Sequence, residues 1–170
     1  MSTKTQLLKE IVREIKNQTP HVTKFKKLLN ELIKNNIDIN SKIYHGRTIL
    51  HYCVKYGLRS YVRCAIRMGV NPELCDDDYN TPIHLAVILN NFQTLTELIK
   101  SGCNVNVTGE FEQTPLHLAV VYERYDIIKL LVQSGADVNM VDEKNLKPID
   151  YAMDEKNEKI INLLTKEENN

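Results

Sequence analysis

Neither charge is in surplus in this chain: Lys and Arg together number 22, and so do Asp and Glu. That balance removes any global pull toward nucleic acid or acidic lipid, so neither is expected as a partner. Long apolar runs are missing too. None approaches the ~20 residues that span a bilayer. The first apolar stretch, 7–15, is interrupted by Lys9, Glu10, Arg13 and Glu14. Met1-Ser2-Thr3-Lys4-Thr5-Gln6 does not lead into a signal-peptide apolar region, so an intracellular, cytoplasmic protein is expected, with nuclear or host-cell delivery left open. Cys53, Cys64, Cys75 and Cys103 form no CxxC pair and no zinc-ligand spacing. They read as reduced packing residues, Cys53 on an inward helix position and Cys103 beside a turn.

Motifs that carry chemistry are also absent. No G-x-x-x-x-G-K-S/T string and no G-x-S-x-G string occurs. Asp76-Asp77-Asp78 lacks the spaced ligands, the Gly and the distal Glu of a calcium loop, and reads as a solvated acidic turn. With no convergent set of titratable groups, the expectation is a non-enzyme with no catalytic residue, no cofactor and no metal.

What the chain does have is a ladder. Thr48, Thr81 and Thr114 stand 33 residues apart, as do His51, His84 and His117, and Gly69, Gly102 and Gly135. A fixed period of that size marks a stacked repeat. Hydrophobic residues at 42% and charged residues at 26% suit a folded domain, and 170 residues can bury a sizeable core. The second rung reads Thr81-Pro82-Ile83-His84-Leu85-Ala86 and the third Thr114-Pro115-Leu116-His117-Leu118-Ala119. The third continues through Ile127-Ile128-Lys129-Leu130-Leu131 to Gly135-Ala136-Asp137-Val138-Asn139. These strings and their period resemble the ankyrin-repeat family over about residues 36–165.

Each piece has a physical role. Thr caps a helix N-terminus, and Pro at the first helical position lacks only a donor that would be unpaired anyway. The Ile/Leu cluster gives the second helix its buried stripe. Gly ends that helix in a left-handed conformation. The first rung, Thr48-Ile49-Leu50-His51-Tyr52-Cys53, lacks the Pro, and the last, Lys147-Pro148-Ile149-Asp150-Tyr151-Ala152, lacks Thr and His. The last rung ends in a polar tail, as suits a terminal repeat.

Upstream, Leu28, Leu29, Leu32 and Ile33 align with Ile127, Ile128, Leu131 and Val132, and Asn36 aligns with Gly135. Residues 19–36 therefore read as the second helix of a capping repeat, started by Thr19-Pro20. Leu7, Leu8, Ile11, Val12 and Ile15 give an amphipathic helix before it. The expected fold is an all-α ankyrin-repeat solenoid of helix-turn-helix repeats with projecting β-hairpin-like turns, about ten helices in all. Its expected division is one domain, 1–170: a helical cap at 1–40, repeats at 41–73, 74–106 and 107–139, and a capping repeat at 140–170.

The three ladder histidines cannot share a metal. Adjacent helix layers lie about 10 Å apart, whereas zinc–nitrogen bonds are ~2 Å. The resemblance implies instead that each hydrogen-bonds within the turn network. It also implies a monomeric protein-interaction module that binds through turn tips and the exposed side of the first helix in each repeat. Carried onto this chain, the tips are Tyr44, His45 and Arg47; Asp77, Asp78 and Asn80; Glu110, Phe111 and Gln113; and Glu143, Lys144 and Leu146. The helix positions are Lys55 and Tyr56, Ile88 and Leu89, and Val121 and Tyr122. Ile88, Leu89, Val121, Tyr122 and Phe111 put apolar groups where charge would otherwise stand, beside acidic tips. The partner expected there is a basic segment flanked by apolar residues. Near the first repeat Arg47 and Lys55 reverse the sign.

Three narrower readings stay open. Asn71-Pro72-Glu73-Leu74 and Thr81-Pro82-Ile83-His84-Leu85-Ala86-Val87-Ile88 resemble stretches of the inhibitor of NF-kappa-B family, which would make this a short inhibitor sequestering a Rel-type transcription factor. Richness in Lys, Asn and Ile suggests an AT-rich genome and a host-directed adaptor of an intracellular bacterium or virus. The stretches ending at Asn139 and Asn40 resemble the pattern that asparaginyl hydroxylases modify in ankyrin repeats.

Overall fold

The computed structural model describes residues 3–17 and 21–167. Among the described residues ten α-helices follow one another: α1 (Thr3–Lys16), α2 (Val22–Lys34), α3 (Ile49–Lys55), α4 (Arg59–Arg67), α5 (Pro82–Ile88), α6 (Phe92–Lys100), α7 (Pro115–Val121), α8 (Tyr125–Gln133), α9 (Pro148–Asp154) and α10 (Glu158–Glu167). No strand occurs among the described residues. The Thr19-Pro20 start expected for α2 lies outside the described residues.

Helices of seven residues, such as α3, α5, α7 and α9, are far below the ~12–15 residues at which an isolated helix becomes marginal in water. They form because the stack buries them. In α5 every residue from Pro82 to Val87 is buried. The helices make two rows, α1-α3-α5-α7-α9 and α2-α4-α6-α8-α10, each helix packing on its partner and on its neighbours along the row. In the first row the shared register Cys53, Ala86, Ala119 and Ala152 is small and buried, which lets adjacent helices approach closely. In the second row Leu32, Ala65, Leu98, Leu131 and Leu164 share a buried register. Fully burying one such leucine contributes about 1.5–3 kcal/mol. Leu7, Leu8, Ile11, Val12 and Ile15 are all buried in α1, as their spacing predicts. Tyr61 stacks on Phe25 at 4.4 Å between ring centroids, joining α4 to α2.

Gly69, Gly102 and Gly135 close α4, α6 and α8 at φ of +90°, +83° and +88°. A Cβ at any of them would meet nothing within 4 Å, so backbone conformation, not space, selects glycine. Asn36 takes the same place after α2 at φ +53°, asparagine being the other residue that tolerates it.

Candidate binding face

Four turns project from the first row, each closed by one backbone bond. Ile43 donates to the Arg47 carbonyl (2.8 Å), Asp76 to Asn80 (2.9 Å), Gly109 to Gln113 (2.8 Å) and Asp142 to Leu146 (3.0 Å). These fingers are built in two ways. Fingers two and four begin with a buried aspartate whose carboxylate organises the tip. Asp76 Oδ1 accepts from the Asp78 and Asn80 amides, and Asp142 Oδ1 from those of Lys144 and Leu146. Fingers one and three have Ile43 and Gly109 at that position and no such carboxylate. They turn instead through two successive left-handed residues, His45 and Gly46, then Phe111 and Glu112. The carbonyls of His45 and Phe111 accept from Asp77 and Glu143, so finger one braces two and finger three braces four.

Asp76 corrects the reading of a wholly solvated acidic turn. Its carboxylate is buried, and Oδ2 also receives Arg47 Nε at 3.3 Å. Only Asp77 and Asp78 of that trio are exposed. Arg47 is thereby engaged between fingers, while Lys42 and Lys55 of the first repeat are exposed. Asn80, Gln113 and Leu146 are half-buried and lend their carbonyls to the scaffold. Tyr44, His45, Glu110, Phe111, Glu143 and Lys144 are exposed; Tyr56 and Ile88 are half-buried.

Each ladder histidine joins two repeats. Nδ1 of His51, His84 and His117 accepts from the backbone N–H of Thr48, Thr81 and Thr114 at 3.2, 3.3 and 3.2 Å, and lies within 2.8–2.9 Å of the same threonine hydroxyl. Nε2 then donates to the last carbonyl of the next finger: Asn80 (2.9 Å), Gln113 (3.1 Å) or Leu146 (3.0 Å). Burial pushes the three imidazoles below their ordinary pKa, His84 to about 4. They are neutral scaffold groups. In the last rung Asp150 keeps only the near half of the arrangement, its Oδ2 accepting from Lys147 N at 2.7 Å. No further finger follows it among the described residues.

Beyond this scaffold lies a row of exposed apolar side chains. Leu89 is 45% exposed, Val121 46%, Tyr122 43% and Phe111 53%. Leu89 and Tyr122 cap the C-termini of α5 and α7, and α5 packs directly on α7. Beside Val121, between α7 and α9, a hollow of about 400 Å³ is rimmed by Glu123, Asp154 and Glu155, with no cation in its lining. The tips add exposed carboxylates at Asp77, Asp78, Glu110, Glu112 and Glu143. Sequence reasoning passed over Tyr79 and Glu112. Tyr79 is the most exposed of the large apolar side chains; its signal was that fingers one and three also carry an aromatic, Tyr44 and Phe111, at the tip.

The asparagines that follow the second helices serve the stack. Asn40 Oδ1 accepts from Asn71 N and Asn106 Oδ1 from Asp137 N, both at 2.8 Å across 31 residues. Asn139 is exposed, its Oδ1 taking Lys147 Nζ at 2.8 Å.

Comparison with known proteins fits this architecture. Residues 21–109 and 90–170 match a family model described as ankyrin repeats, in 3 copies. One similar relative is the ADP-ribosylation factor GTPase-activating protein AGD4 of Arabidopsis thaliana, 38% identical over 50 residues, which is 29% of this chain and 6% of that protein. Another is the SH3 and multiple ankyrin repeat domains protein 2 of Homo sapiens, 34% identical over 73 residues, 43% of this chain and 4% of that protein. The chain thus spans only a small part of these relatives.

Proposed function

The chain belongs to the ankyrin-repeat family, and from that premise we propose that it is a non-enzymatic module binding a protein partner through its finger tips and first helix row. Repeats of this kind act by presenting an extended surface. The observation that carries the reading is the run Leu89, Phe111, Val121 and Tyr122, left exposed, with carboxylates around the hollow beside Val121 and at the finger tips and the Arg124 guanidinium 5.9 Å over the Tyr122 ring. An apolar centre with a charged rim is the anatomy of an interaction site, and aromatic anchors dominate such energies. The partner segment that fits carries Lys or Arg next to large apolar side chains: the apolar groups meet Leu89 and Tyr122, and the cations meet Asp77, Asp78, Glu110 and Glu123.

No helix among the described residues is long and apolar enough to cross a membrane. Affinity capture from the native cell, run in parallel with wild type and the Leu89→Glu/Tyr122→Glu variant, tests the proposal. Partners retained by wild type and lost by the variant support it. Identical captures from both refute it.

A further inference from the structure

A second surface lies in the other helix row. Between α2 and α4 runs an open groove of about 610 Å³ with Val22, Ile33 and Met68 in its lining. Ile33 is 49% exposed. Every ionisable side chain in that lining other than the Cys64 thiol is a cation: Lys26, Arg63 and Arg67. Its charge is thus opposite to that of the hollow beside Val121.

The repeat register explains why this groove stands open. One step along the row, α4 faces α6, and Arg59 and Arg63 both close on Glu97. Arg59 Nε reaches Oε2 at 3.1 Å; Arg63 Nε reaches Oε1 at 2.6 Å and Nη2 reaches Oε2 at 2.8 Å. Shifted back by the 33-residue period, Arg59 becomes Lys26, Arg63 becomes Asn30, and Glu97 becomes Cys64. A thiol therefore stands where the carboxylate that would neutralise this junction belongs. No carboxylate among the described residues forms an ion pair with Lys26 or Arg67, and both are exposed.

We infer that the α2–α4 groove docks an acidic segment of a second protein partner, with an apolar side chain seated on Ile33 and Met68 and an Asp or Glu taking the place that Glu97 fills at the next junction. A carboxylate between Lys26 and Arg67 restores the neutralised junction of the neighbouring pair, and the apolar lining gives the segment area to bury. The cation-only lining does not recur along this row at the counterpart groove between α6 and α8, which mixes Asp126 with Lys129. A nucleic acid or a lipid surface would need a basic stripe carried across several repeats. The segment fits a single junction.

Selection of a displayed random-peptide library on the full chain tests this directly. Wild type, Lys26→Glu/Arg67→Glu, the milder Lys26→Gln/Arg67→Gln, and Leu89→Glu/Tyr122→Glu are compared, with thermal melts to establish that each is folded. The expected result is a class of peptides pairing Asp or Glu with a large apolar residue. Such peptides keep their affinity for the Leu89→Glu/Tyr122→Glu protein and lose about tenfold or more on the groove variants. Their binding also weakens with salt. The inference is overturned if no enriched peptide responds to the groove variants, or if those that respond lack acidic residues. It is likewise overturned if inorganic phosphate alone competes fully, which makes the groove an anion site only, or if wild type self-associates through it, which makes a second copy the occupant. The finger-row reading is untouched by any of these outcomes, because its own variant is scored separately.

Discussion

His84 reaches out of α5 to the next finger, where its Nε2 donates to the Gln113 carbonyl at 3.1 Å while its Nδ1 accepts from Thr81. One neutral ring therefore holds a helix start in its own repeat and a finger in the next. A proton on Nδ1 would turn that acceptor into a donor facing an N–H.

Acid should accordingly loosen the stack. In the unfolded chain the His84 ring takes up a proton near pH 6.5, and in the folded chain burial holds its pKa at about 4. The unfolded state binds more protons between those values, so stability is full above about pH 6.5 and falls as pH drops toward 4. His84 alone accounts for roughly 3 kcal/mol of that loss. His51 and His117 act in the same direction, again through burial. Urea unfolding across this range should show the decline, and His84→Gln should be less stable at neutral pH with a shallower slope. A flat profile would contradict the account.

Thr114 accepts from His117 N at 3.3 Å and lies 2.8 Å from its Nδ1, so Thr114→Ala removes the cap and one partner of a buried ring together. A loss of about 1–2 kcal/mol is expected in urea unfolding, while Thr114→Ser should restore most of it.

Glu97 is the buried carboxylate between α4 and α6. The hydrogen bond from Arg63 leads in lowering its pKa to about 2, ahead of the opposing effect of burial. Its contribution should be present above about pH 4.5 and lost as pH falls toward 2. Glu97→Gln keeps the shape but drops the charge, and about 1–3 kcal/mol of destabilisation is expected. Arg63→Ala should be milder, because Arg59 remains.

Glu112 sits at φ +57° directly after Phe111 at +56°, two non-glycine residues in the left-handed region. Finger one has Gly46 at the equivalent of Glu112. Glu112→Gly should relieve the strain and raise stability by ~0.5–1 kcal/mol in thermal unfolding. A drop in Tm would show that the carboxylate or the stiffness of that finger contributes more than the strain costs.

The ladder made much of this fold legible, because Thr, His, Pro and Gly each act within one repeat and recur at the same step. The inward face of α1 followed from apolar spacing, that of α2 from its alignment with α8 three periods on, and the paired helices from the resemblance to ankyrin repeats. Contacts between repeats were less visible. Asp76 reads like its neighbours Asp77 and Asp78 in sequence, and only its place at the base of a finger buries it. Glu97 looks like any exposed helix carboxylate until Arg59 and Arg63, 38 and 34 residues earlier, are brought against it. The exposed row of Leu89, Val121 and Tyr122 was visible as apolar residues in positions that face outward. The α2–α4 groove was not, because its signal is a substitution in register, Cys64 for Glu97, that has meaning only once the helices are stacked.

The central claim is that the finger tips and first helix row bind a basic, apolar protein segment, and partner affinity measured on Leu89→Glu/Tyr122→Glu beside its Tm tests it most directly. Both side chains are exposed, so the account predicts an unchanged Tm with affinity weakened by about a hundredfold. Unchanged affinity, or a fall in Tm without loss of binding, would contradict it.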